Sequence, residues 1–168
     1  MAMIQTALVV LIFAFCLLVI HGGITDIRTF RIPNWVSAVL ALGFIPYAVL
    51  RWGDIPLFMH VFMGAAVFLI CMIFWKLGWL GGGDVKFLGA ISLWMGPQLI
   101  VPFVFILSLS AALFAGILMW VRRWNPSIQQ SGLPAVFKQL IQRAENHACP
   151  YGFPIAIAAI AMVPSMAG

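Results

Sequence analysis

Apolar residues in this chain run in long unbroken blocks, and the blocks end at small clusters of basic, glycine and proline residues. About 20 apolar residues carry a helix across a bilayer. On that ruler residues 3–22, 34–51, 56–78, 86–96, 97–121 and 150–167 are six predicted helices. The fourth is about half a span, and it meets the fifth at Gly96-Pro97. A Gly-Pro step signals a turn, which favours two helices over one long broken helix across 86–121. The short piece also has glycines before it through which it can extend backwards. Evenly spaced alternating segments are missing, and a backbone in lipid must satisfy its own hydrogen bonds, so helices are expected rather than a barrel. The predicted fold is all-α and polytopic, one membrane-embedded domain over residues 1–168.

Composition agrees with that pattern. Hydrophobic residues make up 64% of the chain and charged residues only 8%, against about 25% charged in soluble domains. The first apolar run has no basic segment before it and no clear small-residue cleavage site after it, so it is expected to be a retained helix rather than a cleaved signal peptide. A net charge of +5 raises the question of nucleic acid. The basic residues are scattered singly or in pairs, however, with no cluster to follow a phosphate backbone, and no nucleic-acid partner is expected. Membrane topology accounts for them. With six helices and both termini outside, Arg28, Arg31, Lys76, Lys86, Arg122, Arg123, Lys138 and Arg143 fall in inside segments, and only Arg51 falls outside.

The longest connection, 122–149, is predicted to be a cytoplasmic loop. Trp124-Asn125-Pro126-Ser127 and Ser131-Gly132-Leu133-Pro134 read as irregular, whereas Val136, Phe137, Leu140 and Ile141 fall at helical spacing opposite Lys138, Gln139, Gln142 and Arg143. A short amphipathic helix on the inner surface fits, either as an anchored connector or in gating or holding a substrate. Cys16, Cys71 and Cys149 are isolated, which predicts neither a zinc site nor a disulfide. His21, His60 and His147 are too dispersed to propose a metal site, and His21 reads as an interfacial residue. Trp35, Trp52, Trp79 and Trp124 lie near predicted helix ends, as an aromatic belt does.

Against this background the acids are conspicuous. The chain has four, Asp26, Asp54, Asp84 and Glu145. Asp26 and Asp84 lie where apolar runs meet polar segments, and both fall on the inside in the topology above. A carboxylate at membrane depth is costly, which makes each a functional candidate. Two carboxylates that share one proton can hydrolyse a peptide, one activating water while the other donates to the carbonyl oxygen. The pair can meet if the first and fourth helices pack together. Gly81, Gly82 and Gly83 directly precede Asp84. They either make a turn for close helix packing or let an extended substrate approach the acid, and the adjacent acid favours the second reading.

Three places in the sequence now carry a resemblance: Asp26 followed by Arg31-Ile32-Pro33-Asn34, then Gly81-Gly82-Gly83-Asp84-Val85-Lys86, then Pro150-Tyr151-Gly152-Phe153-Pro154. The chain resembles the Gly-x-Gly-Asp aspartyl proteases of the membrane, and among them the type IV prepilin peptidases. The resemblance implies that Asp26 and Asp84 are the catalytic acids. Gly81, Gly82, Gly83, Lys86, Pro150, Tyr151 and Gly152 would shape the site or bind substrate. It implies removal of a short basic leader from a pilin-like precursor at the cytoplasmic face of a bacterial inner membrane, beside the pilus assembly machinery. Acids and a water suffice, so no cofactor and no metal are expected. Long members of the family carry a domain with paired Cys-x-x-Cys motifs between the first two helices, and they methylate the new pilin N-terminus. Here about 12 residues join the first two apolar runs, far fewer than a domain needs. The chain thus resembles the short, peptidase-only form of Flp-type, tight-adherence pilus systems.

Several polar residues have an ordinary reading as well. Lys86 either meets the dyad or substrate, or anchors an inner helix end, and Arg28 and Arg31 read as anchors. Pro33 stops the preceding segment, and Asn34 is expected to be a helix N-cap. Two other functions stay open. One is a general intramembrane protease of the signal-peptide-peptidase or presenilin kind, although Thr25-Asp26-Ile27 lacks the tyrosine usual beside their first acid. The other is a small ion or proton transporter, although both acids are expected on one side rather than in a relay across the bilayer. An inactive assembly protein of the same fold is a further alternative.

Overall fold

The structure is a computed structural model and describes residues 2–124 and 150–167. Among the described residues the regular elements are helices: α1 (Ala2–Thr29), α2 (Asn34–Leu50), α3 (Leu57–Lys76), α4 (Gly82–Trp124), α5 (Gly152–Ala161) and α6 (Val163–Ala167). Helices α1, α3 and α4 are long and apolar enough to cross a membrane, and α2 and α5 are shorter apolar helices. Large apolar side chains such as Phe13, Leu17, Phe62, Leu69, Phe105 and Leu113 stand exposed on their outer faces. An outer surface of this kind suits hydrocarbon and not water. The protein is a membrane protein.

Several predicted boundaries move. Helix α1 does not stop at residue 22 but continues through Gly22-Gly23 to Thr29, which carries Asp26 inside its last turn. Glycine normally weakens a helix. Here a Cβ at Gly22 would meet the Phe87 ring at 2.8 Å, and one at Gly23 would meet the Ala156 methyl at 2.9 Å, so both glycines admit neighbouring helices. The expected helix over 150–167 divides into α5 and α6 around Met162. Pro164 has no N–H to donate, and its ring crowds the carbonyl four residues back.

Gly96 interrupts α4 with φ 57 and ψ −170, at the Gly-Pro step where a turn is predicted. The first arm begins at Gly82 rather than at residue 86, so it takes up two of the glycines before Asp84. It packs along α3: Gly64 lies against Leu93, Gly89 against Phe68 and Gly82 against Trp75. In each pair one number rises as the other falls, which makes the two helices antiparallel, and the glycines allow the close approach. The second arm returns, because Phe114 packs on Phe153 and Leu118 joins Ile27 and Phe30 beside the end of α1. Both ends of α4 therefore lie at the Asp26 end of the molecule. The core between these helices is aromatic, with Phe15, Phe44 and Tyr47 around Trp94, whose indole N–H donates to the Leu40 carbonyl at 2.9 Å.

Residues 122–124 are helical, as the end of α4. The amphipathic segment expected around 136–143 lies outside the described residues, as do Glu145, His147 and Cys149.

Candidate active site

Asp26 lies in the last turn of α1 and Asp84 in the first turn of α4. The chain leaves α1 through Phe30, whose N–H closes on the Asp26 carbonyl at 2.7 Å and whose φ is 56. This left-handed conformation costs a non-glycine residue about 1–2 kcal/mol. Ile32 then lies under the start of α4, with its backbone N and O at 3.4 and 3.3 Å from where a Gly83 Cβ would be. Only four residues, 30–33, separate α1 from α2. The short connection and the missing side chain at Gly83 bring the two acids into one place.

A cavity of about 340 Å³ holds both of them, lined by Asp26, Phe30, Arg31, Ile32, Asn34, Gly81, Gly82, Gly83 and Asp84. The acids are 4% and 8% exposed respectively. Each is held by a backbone amide at a helix start. Asp84 Oδ2 accepts the Gly81 N–H at 3.2 Å, reaching back from the third position of α4 to the residue before it. Asp26 Oδ2 accepts the Gly152 N–H at 2.7 Å, from the first residue of α5. Helix starts present unsatisfied N–H groups and a partial positive charge, and both favour an anion. No ion pair joins either acid to a described residue. Two buried carboxylates at one cavity, neither in an ion pair with a described residue, are suited to sharing a proton.

The other sequence candidates divide. Gly81 and Gly152 donate to the acids, and Gly82 and Gly83 line the cavity wall. A Cβ on Gly152 would fall 2.8 Å from the Asp26 Cβ, so α5 can approach only through a glycine. Pro150 is fully buried and Tyr151 packs partly buried on the core just before α5, so they place Gly152 rather than line the cavity. Lys86 stands outside the dyad cavity and beside an apolar cleft with Phe68, Met72 and Trp75. Its Nζ donates to Asn34 Oδ1 at 3.0 Å.

That bond corrects the expected role of Asn34. Pro33 occupies the cap position of α2 in extended conformation, no side chain caps the helix, and Asn34 is the first helical residue. Its side chain is thereby free to line the cavity and accept the hydrogen bond from Lys86 Nζ. Phe30, Arg31 and Ile32 also line the cavity, which the sequence alone did not single out as site residues. Their place beside Asp26 in the Arg31-Ile32-Pro33-Asn34 stretch was the available signal. Among the described residues no three histidines, cysteines, aspartates or glutamates gather as metal ligands do.

A family model described as the type IV leader peptidase family matches residues 10–116, a stretch containing both acids. The chain belongs to the type IV leader peptidase family. Neither a curated protein nor a solved structure matches it. For this leader-peptidase family member the two acids and the glycines before Asp84 lie inside the matched stretch. Gly152 lies beyond it, so its part in the site rests on the hydrogen bond to Asp26.

Proposed function

We propose that this protein is a membrane aspartyl endopeptidase that removes the short basic leader from type IV, Flp-type prepilin precursors. The observation that carries the reading is that Asp26 and Asp84, both buried, line one cavity. Asp26, with the shorter amide bond from the start of α5, is the better placed to stay an anion and act as base. It takes a proton from water as the water oxygen bonds to the scissile carbonyl carbon. Asp84 gives its proton to the carbonyl oxygen. Collapse of the tetrahedral diol breaks the C–N bond, and the leaving nitrogen takes a proton from the dyad. No step calls for a cofactor.

In this reading the chain crosses a bacterial inner membrane six times with both termini outside, which leaves Asp26 and Asp84 at the cytoplasmic face. The charge asymmetry of the loops supports it. The apolar helix of a pilin-like precursor would lie in the bilayer beside the enzyme and bring its leader junction to the dyad, supplying orientation. The four-residue connection between α1 and α2 leaves no room there for the extra domain of the long members, which supports a peptidase without methyltransferase activity.

Coexpression with candidate pilin precursors, followed by the mass of the product, tests this. Wild type is expected to yield a product lighter by the leader, and folded Asp26→Asn and Asp84→Asn proteins to leave the precursor intact. Undiminished cleavage by either variant overturns the reading. Proton flux in liposomes that depends on Asp26, without proteolysis, would replace it with a transporter.

A further inference from the structure

Arg51 is the one basic residue that the charge asymmetry leaves on the other side from the rest. It directly follows α2, whose 17 residues separate it from Asn34 at the dyad by about 25 Å. Helix α3 spans the same interval in the opposite direction, with His60 near its start and Trp75 against Gly82 at its end. Arg51 and the acids are thus separated by nearly the thickness of a hydrocarbon core, about 30 Å. Arg51 belongs to the far headgroup layer.

There it lines a second cavity, of about 220 Å³, with Tyr47, Asp54, His60, Gln98 and Ser165 among the other lining residues. Its Nε is buried without a hydrogen-bond partner. No ion pair or side-chain hydrogen bond joins its guanidinium to a described residue, Asp54 included. The side chain is half-buried and lines the cavity, and a partly desolvated guanidinium without an ion pair favours an incoming anion. Asp54 is exposed at the same cavity. Among the described residues this cation and this anion have no ion-pair partner, and together at one cleft they are complementary to a zwitterion. Trp52, 76% exposed, and Phe58, 75% exposed, lie within a few residues of them in sequence and are exposed as interfacial aromatic residues are.

We propose that this cavity binds the headgroup of a zwitterionic phospholipid, its phosphodiester on Arg51 and its ammonium group toward Asp54. Tyr47, Gln98 and Ser165 supply further hydrogen-bonding groups. The guanidinium suits phosphate because its planar fork of donors matches two phosphate oxygens. Asp54 sets the preference, since it attracts an ammonium and repels a headgroup with net negative charge. The proposal stands apart from the peptidase reading, and its failure leaves Asp26 and Asp84 untouched.

The test uses the full chain in nanodiscs of phosphatidylethanolamine and phosphatidylglycerol in equal parts, followed by mass spectrometry of lipid retained on the released protein. Wild type is expected to retain phosphatidylethanolamine over phosphatidylglycerol by on the order of tenfold. Arg51→Gln should lower that retention by a similar factor, and Asp54→Asn should abolish the preference. Equal retention of both lipids by wild type, or unchanged retention by Arg51→Gln, overturns the proposal. Displacement of the lipid by millimolar inorganic phosphate assigns the cavity to a soluble anion and overturns the lipid. Asp54 is exposed, so Asp54→Asn keeps the fold; an unchanged preference in that variant is decisive against the proposal even where Arg51→Gln does not fold.

Discussion

The backbone N–H of Gly152 donates to Oδ2 of Asp26 at 2.7 Å, across 126 residues of sequence. It ties the end of α1 to the start of α5 and orients a carboxylate that forms no ion pair with a described residue. A Cβ at residue 152 would lie 2.8 Å from the Asp26 Cβ, 2.9 Å from its Oδ2 and 2.9 Å from the Ile32 Cδ1. The Ile32 methyl can turn aside, but the Asp26 Cβ is fixed to its helix, so relief requires α5 to move away from α1. Gly152→Ala is therefore expected to lower kcat/KM on a leader peptide by about a hundredfold, the scale of an ångström-sized misplacement of a reacting group. Circular dichroism of the purified variant checks that its helices survive.

In the proposed mechanism a proton shared by Asp26 and Asp84 fixes the shape of the pH profile. At low pH both acids are protonated and the base is lost; at high pH both are ionised and the acid is lost. Activity should trace a bell, with two apparent limits that belong to the pair rather than to either residue. kcat/KM measured across pH in detergent solution checks this. A flat profile through the carboxylate range excludes the shared-proton mechanism.

Lys86 and Asn34 should behave as a unit. The lysine is exposed and lies outside the dyad cavity, but its bond holds the Asn34 side chain that lines the cavity wall. Asn34→Ala and Lys86→Met are each expected to lower kcat/KM by about three- to tenfold, the worth of one exposed charge-assisted hydrogen bond. The double variant should lose no more than the worse single one, because both delete the same contact. If the two losses multiply, Lys86 acts on the substrate independently of Asn34.

How much of this was readable beforehand depended on the range of the forces involved. Asp26 and Asp84 were visible because a charge in an apolar chain is a compositional anomaly, and the break at Gly96 because Gly-Pro is a local signal. Gly22 and Gly23 misled as a helix end, since what makes them tolerable is the arrival of Phe87 and Ala156 from distant segments. Asn34 misled for the same reason. Its local sequence reads as a cap, but Pro33 fills that place and Lys86, 52 residues on, claims the side chain. Pro164 is a local signal of a helix break, and it lies where α5 gives way to α6.

Gly96 offers the sharpest test of the fold. Its φ of 57 is a conformation that strains any residue with a Cβ, and a Cβ there would overlap the His60 ring. His60 cannot easily give way. It is 3% exposed, stacks on Phe44 and donates from Nδ1 to the Leu93 carbonyl at 2.8 Å. Backbone strain and steric overlap then act together, and Gly96→Ala is expected to destabilise the protein by about 3–5 kcal/mol, the range reached when a buried site is overpacked at a strained backbone position. His60→Ala in the same chain would remove the overlap but not the strain, so the double variant should recover part of the loss relative to the two singles added together. Thermal unfolding of the four proteins in one detergent measures both quantities. Simple additivity would mean that the turn, and not the His60 contact, sets the cost.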